Sequence, residues 1–260
     1  MIVEKIWTAN AYRNFNYLIA CPNSGEALAI DPLDYKKCIR IAKKNSWKIT
    51  QILNTHEHWD HTRGNEALVA AHECEVWAHQ NGEGKIPGMT RALSAGEVVP
   101  LEADVTLTVL DTPGHTFAHL CFLVIEQGAP LAVFTGDTLF NAGVGNCHNG
   151  GSPEALYETV RAQFHPLEDR VAVYPGHDYL ENNLKFTLHL EPSNTAAAQW
   201  LERVEGNDPG TTPIVTTIGD ERSINTFFRL SNSEIRESLS LSDASEASVF
   251  LALRKRRNDW

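Results

Sequence analysis

The stretch QILNTHEHWDHTRGN, residues 51–65, decides how this chain is read. The apolar pair Ile52-Leu53 closes a strand-like run, and directly after it come His56, His58, Asp60 and His61, four electron-pair donors within six residues. In an extended or looped segment alternate side chains share a face, so His56 and His58 point the same way and Glu57 points away. Imidazole and carboxylate are ligands that zinc and related divalent ions accept. None of the four donors falls on a predicted helix, and core packing is a poor explanation for so many together. The ring of Trp59, inside the motif, is expected to line or shield the site without doing chemistry.

Two neighbouring metal ions need more ligands than this segment supplies. Three further candidates stand at strand ends beside a glycine: His115 in DTPGHT, Asp137 in FTGDTLF and His177 in YPGHDY. Glycine lets the backbone turn sharply enough to aim the next side chain into a cleft. The total becomes five histidines and two aspartates, enough for two sites that share a bridging carboxylate. His119 is expected to support the site or the core, and His72, His79, His165 and His189, without clustered partners, take surface or packing roles. Cys147, in GVGNCHNGG, lacks a G-x-S-x-G-like turn and reads as an inert loop thiol.

The rest of the chain bounds the setting. At 260 residues with 42% hydrophobic and 21% charged residues, it has the composition of a soluble globular protein. A formal net charge of −11 argues against a nucleic-acid partner, which needs a basic face. No cationic leader with a small-residue cleavage site opens the sequence, and no apolar run approaches the roughly 20 residues that cross a bilayer. Five scattered cysteines without C-x-x-C spacing read as reduced thiols. A cytoplasmic protein, monomeric by default, is expected.

Short β-branched runs closed by Gly, Pro, Asn or Asp recur through the first two-thirds: NYLIACP, ALAIDP, ITQILNTH, CEVWAH, VTLTVLDTPGH, HLCFLVIEQG, LAVFTGDTLF and RVAVYPGHD. Helical stretches lie between some of them, among them DYKKCIRIAKKNSW, GNEALVAAHE and SPEALYETVRAQFHP, the last with Ser152 and Pro153 at the cap and first helical position. From about residue 180 the pattern turns helical, interrupted by the link NDPGTTPIVTT and ending on a helix capped by Ser245. The expected organisation is a mixed α/β domain over 1–178 and a smaller, mainly helical one over 179–260.

The ordered set H-x-H-x-D-H, PGHT, GDTLF and GHDY resembles the metallo-β-lactamase-fold hydrolases, and within them glyoxalase II, the hydroxyacylglutathione hydrolases. The resemblance covers nearly the whole chain. It implies a four-layer αββα sandwich with a helical C-terminal domain over the site. It further implies one metal on His56, His58 and His115, a second on Asp60, His61 and His177, and Asp137 bridging. The implied cofactors are two divalent ions, zinc foremost, with iron or manganese also compatible. Asp60 and Asp137, with a metal-bridging hydroxide, would carry catalysis on a glutathione thioester, S-D-lactoylglutathione, yielding D-lactate.

For the substrate, the resemblance points to Tyr179 and to Arg254 and Arg257 in LRKRRNDW, where the family places a tyrosine and two C-terminal cations for the glycine carboxylate of glutathione. One departure stands out. After GDTLF the family has a lysine or arginine where this chain has Asn146, and a tyrosine-like position where it has His148. Both can still hydrogen-bond a peptide, but one charge-assisted contact is missing. Other classes fit less well. A persulfide dioxygenase would use one iron on two histidines and an aspartate, leaving the Asp60, His61 and His177 set without a use. A β-lactamase or other amide hydrolase predicts a leader and gives the C-terminal cations no role. A nuclease of this superfamily needs an additional nucleic-acid-gripping domain, and another thioesterase of the same fold differs only in its pocket.

Overall fold

The eight apolar runs supply eight of the twelve strands of two six-stranded sheets in a computed structural model that describes residues 1–102 and 104–260. The first sheet takes, in sequence order, β1 (Ile2–Trp7), β2 (Phe15–Ala20), β3 (Glu26–Ile30), β4 (Lys48–Leu53), β5 (Glu75–His79) and β6 (Met89–Leu93). From β3 to β6 neighbouring strands are parallel, so the chain needs crossovers. Helix α1 (Tyr35–Lys44) joins β3 to β4, and α2 (Trp59–Thr62) with α3 (Asn65–His72) joins β4 to β5.

The second sheet uses β7 (Val98–Glu102), β8 (Val105–Asp111), β9 (Leu120–Glu126) and β10 (Ala129–Gly136) as an antiparallel meander. A two-residue hairpin follows, β11 (Leu139–Phe140) with β12 (Gly143–Val144). After α4 (Pro153–Thr159), β13 (Ala172–Pro175) lies parallel to β10. Ser152 caps α4 through its side chain with Pro153 at the first helical position, as its sequence indicates.

Alternation along the strands explains the layering. Phe15, Tyr17 and Ile19 of β2 face Phe122, Val124 and Phe134 of the second sheet in a core between the sheets. Leu18 points the other way, into a layer with Ile49, Ile52 and the helix residues Cys38, Ala42 and Leu68. On the far side Cys121, Leu123, Val133 and Val173 pack under Leu156, Phe186, Phe250 and Leu253. Three apolar layers therefore separate helix, sheet, sheet and helix, the expected αββα sandwich.

The C-terminal part is helical: α5 (Leu180–Leu190), α6 (Thr195–Val204), α7 (Ile218–Ile224), α8 (Ser233–Ser238) and α9 (Glu246–Asn258). Two features go beyond the sequence expectation. The link NDPGTTPIVTT contains a short strand, β14 (Thr216–Thr217), that pairs antiparallel with β13 as an edge of the second sheet. In addition, α5 and α9 supply part of the outer helix layer. Buried Glu221 fastens this part to the hairpin region: it accepts hydrogen bonds from Thr216 Oγ1 at 2.7 Å, the Ala142 amide at 2.8 Å and Asn225 Nδ2 at 2.8 Å. Burial pushes its carboxyl up to about 7 against the pull of these donors. Glu221→Gln removes one acceptor: its amide nitrogen faces either the Ala142 and Asn225 N–H groups or the Thr216 hydroxyl, whose own proton is then left without this acceptor. It should lower stability by about 1–3 kcal/mol in urea unfolding; a variant as stable as the parent would show that the carboxylate fastens nothing.

Candidate metal centre

The site forms at one end of the sandwich, where strands stop and loops begin. Beyond the end of β4 the chain bends through residues 55–57, and His58, with an extended backbone, stands at the N-cap position of α2. Asp60 and His61 lie on that short helix, which corrects the expectation that none of the four donors would be helical. A single helical turn lets Asp60 and His61 reach His177 while the His61 ring stays 4.2 Å from that of His56, so one continuous motif serves two adjoining groups. Glu57 does turn away, accepting from Thr116 Oγ1 at 3.0 Å.

His56, His58 and His115 bring one donor atom each within 4.8 Å of one another, and so do Asp60, His61 and His177. Asp137 lies between the groups: Oδ2 is 3.5 Å from His115 Nε2 and 3.2 Å from His177 Nε2, and Oδ1 is 3.4 Å from His61 Nε2. The structure thus brings together all seven residues singled out in the sequence.

The hydrogen bonds on the outer side of each ring determine what faces inward. His61 Nδ1 donates to Asp31 Oδ2 at 2.9 Å, His115 Nδ1 to the Asn146 carbonyl at 2.6 Å, and His177 Nδ1 to the Tyr12 carbonyl at 2.6 Å. His58 Nε2 faces the Asn149 carbonyl at 3.4 Å. The Thr55 hydroxyl donates to Asp31, so it accepts from His56 Nδ1 at 2.9 Å. Each ring with its proton on the outer nitrogen presents a bare lone pair inward. Those lone pairs then face one another, His61 Nε2 to His177 Nε2 at 3.2 Å and His115 Nε2 to His58 Nδ1 at 3.0 Å. Such an arrangement is repulsive unless a proton or a metal ion is shared between the nitrogens.

Two further observations fit divalent ions. Asp137 Oδ1 is buried without a hydrogen-bond partner among the described residues. Burial alone would push His61 down, but Asp137 and then Asp31 pull it up to about 10, so these two carboxylates favour positive charge at that ring. His56 is driven the other way, first by burial and then by its histidine neighbours, which keeps it a neutral donor. The His/Asp cluster suits divalent metal ions.

Glycine serves the site in two ways. Gly136 has φ +47°, the left-handed region, and a Cβ there would meet Thr55 Oγ1 at 2.5 Å. Gly176 is needed for room instead: a Cβ would lie 2.4 Å from Asp137 Oδ1. His119 supports the arrangement, its Nε2 accepting from the Asp137 amide at 3.1 Å.

Beside this cluster lies a cavity of about 290 Å³ whose lining includes Tyr179, Asn146, His148, Arg254 and Arg257. Tyr179 stacks on His177 with centroids 5.1 Å apart and donates to the Tyr12 carbonyl at 3.1 Å. Burial raises its phenol well above the ordinary value. The two arginines differ. Arg254 is buried, with Nη1 donating to the Val144 and Gly145 carbonyls at 2.7 and 2.9 Å and with Nε and Nη2 on Asn258 Oδ1. Its guanidinium is thus largely committed to fixing the loop after β12. Arg257 binds only Asn183 Oδ1, through Nε and Nη2, leaving Nη1 unengaged by protein among the described residues. Trp59 is 51% exposed against Tyr12, and burial pushes the Cys147 thiol up to about 11, in keeping with an inert role.

Sequence reading did not single out Asp31 or Asn14. Asp31 also accepts from the Thr55 amide at 2.8 Å, while Asn14 Nδ2 donates to Asp60 Oδ2 at 3.0 Å. The signal for Asp31 was its place at the end of ALAIDP, a strand end on the same edge as the histidines. Asp31→Asn would turn an N–H toward His61 or Thr55 and favour the wrong His61 tautomer. Metal affinity at that ring should fall about 10–100-fold in chelator competition, with the fold retained; unchanged affinity would show that Asp31 does not orient His61.

Comparison with known proteins agrees with this geometry. Residues 15–177 match the metallo-beta-lactamase superfamily, and residues 178–260 match the family described as hydroxyacylglutathione hydrolase C-terminus. The hydroxyacylglutathione hydrolase of Nitrosococcus oceani is 52% identical and that of Polaromonas sp. 53% identical, each over 100% of both chains. Among solved structures, ETHE1 from Myxococcus xanthus superposes with a TM-score of 0.69 at 23% identity, covering 99% of this chain and 98% of that one, a likeness of fold alone. Matches that together run from Phe15 to the last residue, and relatives alike along their whole length, establish that this chain belongs to the hydroxyacylglutathione hydrolases of the metallo-β-lactamase superfamily.

Proposed function

We propose that this enzyme hydrolyses the thioester of S-(2-hydroxyacyl)glutathione, with S-D-lactoylglutathione as substrate and glutathione and D-lactate as products. The observation that carries this reading is a cluster of five imidazoles, three of which, on His61, His115 and His177, set Nε2 within 3.5 Å of Asp137, next to a cavity bordered by Tyr179 and Arg257. His56, His58 and His115 would hold one divalent ion and Asp60, His61 and His177 the other, with Asp137 shared. Zn²⁺ suits this mix of imidazole and carboxylate best, and iron and manganese are also compatible. Bound there, paired divalent ions would supply Lewis acidity for the thioester carbonyl and lower the pKa of water.

The protein's own residues do the rest. Asp31, Thr55 and the carbonyls of Tyr12, Asn146 and Asn149 hold the imidazole tautomers fixed, so no ring has to reorganise during turnover. Asn14 keeps Asp60 turned toward His61 and His177. Arg257 offers the glycine carboxylate of glutathione a cation, and Asn146 and His148 offer hydrogen bonds to its peptide. Arg254 contributes mainly by fixing the carbonyls of Val144 and Gly145 beneath that surface. A catalytic domain over 1–178 and a substrate-binding one over 179–260 are supported by the spans of the two family matches. No helix among the described residues is long and apolar enough to cross a membrane, and we place the enzyme in the cytoplasm as a monomer.

Thioester hydrolysis and metal content measured on one purified sample test the proposal. About two equivalents of metal per chain and loss of turnover on chelation are expected; full activity in metal-free protein, or oxygen uptake with glutathione persulfide in place of hydrolysis, would overturn it. Asp137→Ala should reduce kcat by at least about a hundredfold. Asn146→Lys should restore a charge-assisted contact and lower the KM for S-D-lactoylglutathione a few-fold with kcat little changed. An unchanged KM would remove Asn146 from the account of specificity.

A further inference from the structure

A second cavity, of about 360 Å³, lies on another side of Tyr179, where β1 and β2 meet the C-terminal helices. Tyr179 and Asn182 border both cavities, but the five clustered histidines and Asp137 line neither. Clefts at such junctions between parts of a chain are common ligand sites.

Its charges are unevenly matched. Three bases and two acids line it, a local excess of one positive charge in a chain whose net charge is −11. Both acids already have partners. Asp178 is bound by Arg13, through Nη2 to Oδ2 and through Nε to the Asp178 carbonyl at 2.8 Å, and Glu181 is paired with Lys185 at 2.6 Å. Lys5 is the cation left over. Its Nζ donates to the Ile214 carbonyl at 2.6 Å and sits 3.9 Å from the Phe15 ring centroid, and it forms no ion pair among the described residues. An ammonium withdrawn from water without a counter-charge is costly. Burial accordingly lowers Lys5 to about 8, with only the more distant charge of Asp178 opposing.

The remaining lining sets the shape of a partner for that cation. Phe15, Val204 and Ile214 give the cavity apolar walls, so a bare inorganic ion would leave them wet. One unpaired cation matches one negative charge, which disfavours a phosphate dianion. We propose that this cavity is a second ligand site, one that takes a small organic monoanion, a carboxylate with an apolar or aromatic body, its charge on Lys5 and its body against Phe15 and Ile214. The site is independent of the thioester reading, because none of its charged residues belongs to the metal centre or to the glutathione cavity.

Calorimetric titration of the metal-loaded protein with phenylacetate, and with its neutral analogue phenylacetamide, tests this. Phenylacetate should bind at one site per chain, also in the presence of saturating glutathione, and phenylacetamide should bind about tenfold or more weakly. Lys5→Met keeps the aliphatic stem and removes the charge. Asn207→Trp puts bulk into the cavity from its loop side and leaves the Lys5 charge in place. Each should weaken phenylacetate about tenfold or more, whereas Arg257→Met should leave it unchanged. The proposal is overturned by an absence of saturable binding, by equal affinity for the amide, by displacement with glutathione, or by affinity unaltered in both cavity variants.

Discussion

Five imidazole rings cannot turn unprotonated nitrogens toward one another around a buried carboxylate unless something positive lies among them. The approach of His61 Nε2 to His177 Nε2 at 3.2 Å would be repulsive on its own, and so would that of His115 Nε2 to His58 Nδ1 at 3.0 Å. What holds the rings there is the outer layer of acceptors: Asp31, the Thr55 hydroxyl and three backbone carbonyls. The inner donors suit divalent ions, and the outer acceptors keep those donors turned inward.

The sandwich exists in a form that makes this crowding possible. Three apolar layers fix the two sheets, and the ends of β3, β4, β10 and β13 lead directly to Asp31, His56, Asp137 and His177. Gly136 and Gly176 let those ends approach closely, the first by its left-handed backbone and the second by lacking a Cβ next to Asp137.

The C-terminal helices act on the same centre indirectly. Glu221, Asn183, Asn225 and Arg254 all bond backbone atoms between Asn141 and Gly145, the segment that leads to Asn146 and so to the carbonyl that orients His115. One loop is thus shared between substrate cavity and metal centre. Tyr179 adds another link, stacked on His177 and bordering both cavities.

The sequence by itself determined the donors and the alternation of strands, because ligand chemistry is a property of residue type and a two-residue period is local. It therefore pointed to all seven residues that converge in this cluster, to the sandwich and to the caps at Ser152 and Ser245. It did not reveal β1 (Ile2–Trp7), β6 (Met89–Leu93) or β7 (Val98–Glu102): all three are edge strands, and with one side unpaired β6 leaves three of its five residues exposed and lacks a clear apolar alternation. Nor could it assign Asp60 and His61 to a helix, since a single turn of four residues has no periodicity to read. The different fates of Arg254 and Arg257 were equally hidden. Three residues apart on α9, they have the same chemistry, and only the packing of that helix puts carbonyls of the 144–145 loop within reach of one guanidinium and not the other. Tertiary structure alone decided which nitrogen of each histidine faces inward, because the acceptors responsible come from up to 165 residues away in the chain.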